Sequence, residues 1–260
     1  MESAPSIWRL AIGAWRDAFG AMRDMPVVFG AAFAAAIVIH VAQGFFGQPS
    51  VAYATTLSSE EQVAAFAFAL AQTFFLTPVL IAVHRYILLG ERTRRYRLNP
   101  SDRRFWRFFV FGIVIQLFFV VPTLFALNSS LESGVELAVA VVLFLAAIVA
   151  AVRLILFFPA VAVDAAGADW RNALADSRGH AWRIFFTVMV VTLMATVVLM
   201  AAAIGLAWIS LQFDEIPRAV IVIDAIIEPS IMVATLAANA VAASRLFRFF
   251  GMRLVGSAGG

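Results

Sequence analysis

The chain has 260 residues, of which 63% are hydrophobic and 13% are charged. Soluble domains carry about 25% charged residues, so this composition excludes an ordinary soluble domain and indicates a protein that crosses a membrane several times. Cysteine is absent, which excludes disulfides, zinc–thiolate sites and cysteine nucleophiles, and all 19 basic residues are arginine.

The first predicted element is a helix over residues 5–24, within an N-terminal segment of residues 1–25. An aromatic or methionine side chain recurs every seven residues, and arginine recurs with the same spacing on a neighbouring stripe: Trp8, Trp15 and Met22, and Arg9, Arg16 and Arg23. This pattern predicts an amphipathic helix in the membrane interface, with aromatic side chains in lipid and arginines toward the headgroups. A helix packed against the rest of the protein is the alternative.

Six apolar segments follow, each close to or longer than the ~20 residues that cross ~30 Å of hydrocarbon. They cover about residues 26–46, 63–83, 105–127, 135–163, 184–209 and 229–249. The sequence therefore predicts an all-α, polytopic membrane bundle of six transmembrane helices over residues 26–250, with residues 251–260 as a short cytoplasmic tail.

Two of these segments need a closer interpretation. The fourth is too long for one straight crossing, so we expect its span to end near Arg153 and the remainder, which contains Pro159, to bend. Before the sixth, residues 218–228 carry Asp224 and Glu228, and they are interpreted as a surface stretch that leads into the span.

Arginine is distributed unevenly between the two ends of the predicted spans. Eighteen of the 19 arginines lie in or beside the N-terminal helix, the 84–107 connection, the 164–183 connection or the end of the sixth span. The opposite loops carry only Arg218, together with several acidic residues. Because positively charged residues stay cytoplasmic, both termini are predicted to be cytoplasmic.

The two arginine-rich connections are the predicted docking and lipid-contact surface. The 164–183 stretch is a polar, helix-forming interruption between two apolar spans, with Asp169 as its helix cap. Beside a membrane, clustered arginines attract anionic phospholipid headgroups at about 1 kcal/mol per residue, so lipid rather than nucleic acid is the expected partner. The residues predicted to form this surface are Arg92, Arg94, Arg95, Arg97, Trp170, Arg171, Arg178, Trp182 and Arg183.

Inside the spans, Gln72, Gln116 and Asn239 form a candidate polar network. Such residues usually hydrogen-bond between helices, each bond contributing about 0.6–2 kcal/mol, and the alternative is a polar pathway through the bundle. Asp224 and Glu228 share one helical face, and we interpret them as solvating the outer end of a helix, with a cation or proton site as the alternative. No metal, cofactor or catalytic residue is predicted.

The stretch "FFPAVAVDAAGADWRNALADSRGHAWRIFF" resembles a signature of bacterial inner-membrane proteins. That group includes the YciC-type proteins and the membrane domain attached to some glycerophosphodiester phosphodiesterases. The positions that carry the resemblance are Pro159, Asp164, Gly167, Ala173, Leu174, Ser177, Trp182 and Arg183. The resemblance implies a six-span protein of the bacterial inner membrane. It does not imply phosphodiesterase activity, because the acidic and histidine metal ligands of that enzyme are absent.

The sequence thus predicts a non-enzymatic, multi-pass inner-membrane protein of YciC-like type. It would act in envelope maintenance or as the partner of another membrane protein, through its basic cytoplasmic surface. The alternative is a small-solute transporter or permease subunit, which the prolines and glutamines in the spans favour. A third hypothesis, an intramembrane enzyme, would require histidine or carboxylate side chains to converge in one cavity.

Overall fold

The computed structural model describes residues 6–45, 58–128, 134–213 and 218–256, and these form α-helices and loops without a strand. In chain order the helices are α1 (Ile7–Asp24), α2 (Pro26–Phe45), α3 (Ser59–Leu89), α4 (Arg103–Asn128), α5 (Gly134–Leu154), α6 (Phe157–Ala162), α7 (Trp170–Asp176), α8 (Ala181–Ser210), α9 (Arg218–Phe250) and α10 (Met252–Val255). Six stretches are long and apolar enough to cross a membrane, namely α2, α3, α4, α5 with α6, α8 and α9. The predicted all-α bundle of six spans is confirmed.

Helix α3 is longer than its predicted span of residues 63–83 because both of its ends are capped. At the start, the Ser58 hydroxyl accepts from the backbone N–H of Glu61, and the Glu61 carboxylate accepts from the backbone N–H of Ser58 at 2.7 Å. At the other end, Gly90 adopts a left-handed conformation with φ +71° and its N–H donates to the Tyr86 carbonyl. Glycine takes this conformation without a steric cost, so the helix ends there.

The fourth predicted span bends after α5, near Arg153, as its excess length predicted. Helix α5 ends at Leu154 and the short helix α6 follows, with Pro159 buried inside it. Arg153 is held at the bend, where its guanidinium donates to the Leu174 carbonyl at 2.6 Å, near the end of α7. A cation at this position also interacts favourably with the negative end of the α7 dipole.

The predicted boundary at Pro229, between a stretch over residues 218–228 and the sixth span, was wrong, because α9 runs unbroken from Arg218 to Phe250 with Pro229 inside it. Proline removes one helical hydrogen bond at a cost of about 3 kcal/mol. Non-helical backbone in an apolar surrounding would leave several polar groups unpaired, each at a cost of several kcal/mol. Continuing the helix through Pro229 is therefore the cheaper solution.

Helix α1 is amphipathic, as predicted, and it packs against α8 and α9. Trp8 is 64% exposed, whereas the indole N–H of Trp15 donates to the Val191 carbonyl at 3.2 Å. The face that packs inside consists mainly of small residues: Leu10, Ala11, Gly13, Ala14, Ala18 and Ala21. Ala11 is fully buried on this face, where small side chains let the backbones of α1, α8 and α9 approach closely.

The apolar surface of the bundle is divided between a packed core and an exposed belt. The core lies around α1, the first part of α2, the second half of α3 and the last half of α9. The last half of α8 is largely exposed and apolar, with Val197, Val198, Ile204 and Trp208 all more than half exposed. Apolar surface on this scale requires lipid around it, in agreement with a multi-pass membrane protein.

The segment after α9 is docked rather than free over its described part, residues 251–256. Asp176, at the end of α7, accepts hydrogen bonds from the backbone N–H groups of Arg253 and Leu254 in α10. Gly167 packs so closely on α10 that a Cβ there would overlap the carbonyl oxygen of Arg253. Residues 257–260 of the predicted tail lie outside the described residues.

Candidate functional site

Most of the arginines gather at one end of the bundle, which we call the Arg-rich end. The 84–107 and 164–183 connections meet there through an ion pair between Arg104 and Asp164 and through a hydrogen bond from Arg107 to the Ala168 carbonyl. The end of α9 joins the same assembly, where the ring of Phe250 stacks on His180, at 4.2 Å between centroids. The two connections that the arginine distribution predicted to share a side are therefore adjacent in space.

The loop between α3 and α4 folds back along α3 instead of extending away from it. The Tyr96 hydroxyl donates to the backbone carbonyl of Phe75 at 2.8 Å. Phe75 lies 15 residues before Gly90, or about 22 Å along the helix. Pro78 has no N–H to donate to the carbonyl of Phe74, four residues earlier. The hydrogen-bond ladder of α3 is therefore interrupted next to Phe75. The fold-back places the arginines of the loop beside the start of α2 and the middle of α3.

This fold-back encloses a cavity of about 420 Å³, which we call the loop cavity. Its polar wall comes from the loop and from arginines at the two adjacent helix ends, and its apolar wall comes from α2, α3 and α4. The lining residues are Val28, Pro78, Ile81, Ala82, Arg85, Thr93, Arg94, Arg95, Tyr96, Arg97, Asn99, Asp102, Arg104 and Phe105. A cavity lined by both guanidinium groups and apolar side chains is complementary to the headgroup end of an anionic amphiphile.

The arginines of the loop cavity differ in whether a carboxylate neutralises them. Arg85 donates through Nε and Nη2 to both carboxylate oxygens of Glu91, at 2.7 and 2.6 Å, and Arg104 pairs with Asp164. Arg94, Arg95 and Arg97 are exposed, and none of them forms an ion pair with a carboxylate anywhere in the described part of the chain. These three guanidinium groups are therefore available to an external anion.

The protonation of two loop side chains follows from these contacts. The hydrogen bonds from Arg85 lower the pKa of Glu91 below its ordinary value of 4.5, so this carboxyl stays ionised at neutral pH. Burial raises the pKa of Tyr96, so its hydroxyl keeps the proton that it donates to the carbonyl on α3.

A larger cavity of about 940 Å³ lies between α1, the end of α3 and the end of α9, and we call it the helix-end cavity. Five arginines line it together with one aspartate: Arg16, Arg23, Arg92, Arg245, Arg248 and Asp17. Arg245 crosses over Gly13 to pair with Asp17, and Arg92 pairs with Asp24 at 3.1 Å. The predicted surface residue Arg92 thus belongs to this cavity and is partly neutralised, unlike the three unpaired arginines of the loop.

The second group of predicted surface residues lies on and after α7. The Asp169 carboxylate caps α7 by accepting from the Arg171 N–H at 2.9 Å, as predicted. The Arg171 guanidinium lies 5.3 Å from the centre of the Trp170 ring, so the two form a cation–π pair. Arg178 is exposed, Trp182 is 75% exposed, and Arg183 is half-buried. Neither of the two cavities above is lined by this group.

The three amides of the candidate polar network contact different partners. Each forms one interhelical contact: the side-chain N–H of Gln72 approaches the Met232 sulfur at 2.8 Å, that of Gln116 donates to the Thr73 hydroxyl, and that of Asn239 donates to the Thr192 hydroxyl at 3.1 Å. Neither arginine-lined cavity reaches any of the three amides. These contacts match the expected role of polar residues that join neighbouring helices. Within the described bundle they do not form one continuous polar path.

The structure brings together three potential metal ligands that the sequence did not predict to form a site. His40 on α2 and Asp224 and Glu228 on α9 place one potential ligand atom each within 4.8 Å of one another. From the sequence, Asp224 and Glu228 were interpreted as solvating the outer end of a helix, with a cation or proton site as the alternative. Their spacing of four residues is visible in the sequence, but their approach to His40 depends on the packing of α2 against α9.

Comparison with known proteins returns no match to a family model, to a curated protein or to a solved structure.

Proposed function

We propose that this protein is a non-enzymatic, multi-pass protein of the bacterial inner membrane, of YciC-like type, that binds anionic phospholipid headgroups at its Arg-rich end. In this proposal both termini and the Arg-rich end are cytoplasmic. The lipid-bound surface then serves envelope maintenance or docks another membrane protein. The observation that carries the proposal is the cluster of three unpaired arginines, Arg94, Arg95 and Arg97, on the wall of the loop cavity.

The composition of the loop cavity supports a lipid headgroup rather than a free small anion. Guanidinium groups bind phosphate oxygens in a bidentate geometry, and three of them converge here. The same cavity is lined by Val28, Ile81 and Phe105, which offer apolar surface to the glycerol and upper acyl region of a lipid. The cavity lies at the start of α2 and α4, which in this proposal is the headgroup region of the bilayer.

The topology proposed here has its own support. Positively charged residues are retained on the cytoplasmic side during insertion, and the two arginine-rich connections share one end of the bundle. Anionic lipids give the cytoplasmic leaflet a negative surface potential, so the same arginines that set the topology also face the lipids that they bind.

The test measures binding of short-chain phosphatidylglycerol and phosphatidylcholine to the purified full chain in neutral detergent. We expect tighter binding of phosphatidylglycerol. Replacing Arg94, Arg95 and Arg97 together by glutamine should weaken that binding by roughly 10- to 100-fold, at about 1 kcal/mol or less per arginine.

A matched control removes the same charge at three exposed arginines outside both cavities, Arg9, Arg103 and Arg253. Tyr96→Phe adds a second comparison, because it loses the hydrogen bond that folds the loop back while the charge stays constant. The control triple should bind like the wild type, and Tyr96→Phe should bind phosphatidylglycerol more weakly. Equal affinity for the two lipids, or equal loss in both triple variants, would contradict the proposal.

A further inference from the structure

Three residues that the lipid proposal does not involve meet at the end of the bundle opposite the Arg-rich end. His40 lies five residues before the end of α2, and Asp224 and Glu228 lie within the first three turns of α9. Because α2 and α9 pack against each other and run in opposite directions, the three residues meet at the same depth. Their potential ligand atoms, one imidazole nitrogen and two carboxylate oxygens, all lie within 4.8 Å of one another.

This spacing fits a single bound cation. Zinc–nitrogen and zinc–oxygen bonds of about 2.0–2.2 Å place neighbouring ligand atoms of a tetrahedral site ~3.4 Å apart. Side-chain rotations that move each ligand atom by about 1 Å therefore suffice to bring the three groups onto one ion, without movement of either helix.

Charge also favours a cation at this position. Asp224 and Glu228 are four residues apart on one face of α9, so two negative charges repel each other in a segment that is otherwise apolar. A divalent ion bound by two carboxylates and a neutral imidazole gives a cluster with no net charge. Charges inside a membrane-spanning segment are costly and usually paired, and such a cluster satisfies that requirement.

The donor set selects the kind of metal. Calcium and magnesium prefer sites made of oxygen donors, whereas an imidazole nitrogen favours first-row transition metals such as zinc. Three protein donors leave a tetrahedral zinc ion with one position for water or another ligand, and Asp224, one of the three donors, is exposed. A site of this kind exchanges its ion with the surroundings, unlike a closed structural site.

We propose that His40, Asp224 and Glu228 form an exchangeable binding site for one divalent transition-metal ion, of which zinc is the representative. In the topology proposed above, this site opens to the side of the membrane opposite the arginines.

The test measures zinc binding to the purified full chain by equilibrium dialysis with elemental analysis, and cobalt binding by its visible absorption spectrum. We expect one zinc ion per chain and the absorption of a four-coordinate cobalt ion. Glu228→Gln and His40→Ala should each weaken zinc binding by at least ~10-fold, since even residues that only support a ligand cost that much.

The controls replace groups of the same chemistry elsewhere: His180→Ala at the Arg-rich end and Glu136→Gln in the first turn of α5. Both should bind zinc like the wild type, and circular dichroism should show that every variant retains its helices. If His40→Ala does not fold, Glu228→Gln alone decides, because it keeps the size of the side chain. The proposal is overturned if folded wild-type protein takes up no zinc, or if Glu228→Gln binds as much zinc with the same affinity.

Discussion

The contact between Asp176 and α10 allows a prediction whose size follows from the structure. The Asp176 carboxylate accepts from the N–H of Leu254 at 3.0 Å and from the N–H of Arg253 at 3.0 and 3.1 Å. Leu254 is fully buried, so Asp176→Ala leaves a buried donor unpaired, at a cost of about 1–3 kcal/mol. Arg253 is exposed and water can replace part of the lost bond, which adds about 0.5–1.5 kcal/mol.

The assay uses the absence of cysteine from the chain. A cysteine introduced at Leu254 reacts with a maleimide only when α10 leaves its site, so the labelling rate reports the undocked population. A loss of roughly 1.5–4.5 kcal/mol corresponds to labelling that is about 10 to 2,000 times faster in the Asp176→Ala background. Asp176→Asn keeps one acceptor oxygen and should fall between Asp176→Ala and the wild type.

Arg178→Ala is the matched control, because Arg178 is exposed and lies on the same segment. It should leave the labelling rate of the Leu254 cysteine unchanged. Labelling that is equally slow in the Asp176→Ala background would refute the conclusion that this carboxylate holds α10 in place.

Two further predictions concern a glycine and an ion pair at the same end. Gly167→Ala places a methyl group against the carbonyl of Arg253, so we expect a loss of about 1–3 kcal/mol and a lower Tm, whereas Gly134→Ala, with open space around it, should leave Tm unchanged. Because the pKa of Glu91 is lowered by Arg85, the pair stabilises the fold above pH 4.5 and loses this effect as the pH falls further. Both side chains are partly exposed, so Glu91→Gln should lower the free energy of unfolding by less than about 1 kcal/mol at pH 7. In strong acid it should have no effect, and thermal unfolding at each pH measures both values.

The number and order of the spans could be predicted from the sequence because hydrophobicity and length act locally. Each of the six apolar segments can be recognised from its own length and hydrophobicity, and the bend after Arg153 follows from the length of the fourth segment. The cap at Asp169 is likewise a local signal, since the side chain and the N–H that it accepts from are two residues apart.

The packing of α1 and the continuity of α9 could not be predicted in the same way. Tryptophan and arginine dominate the visible pattern of α1, but its buried face consists mostly of alanines whose partners on α8 and α9 are about 180 residues or more away. Whether α9 continues through Pro229 depends on the surrounding medium and on α2, and neither is encoded in the local pattern.

The candidate sites likewise combine features that are local in the sequence with contacts that are not. Arg94, Arg95 and Arg97 were predicted as a lipid-contact surface from charge alone. The cavity that they line depends on a hydrogen bond between Tyr96 and a helical carbonyl 21 residues earlier, which no local pattern shows. The meeting of His40 with the carboxylates of α9 similarly requires two helices that lie far apart in the sequence.

The central claim is that a bilayer surrounds the six long helices and that the Arg-rich end faces the cytoplasm. Because the chain has no cysteine, single cysteines can be placed at the exposed positions Arg95, Arg178 and Glu60 and treated in intact cells with a membrane-impermeant maleimide. We expect only the cysteine at Glu60 to react before the inner membrane is permeabilised. Reaction of the cysteines at Arg95 and Arg178 from opposite faces, or of both from outside, would contradict it.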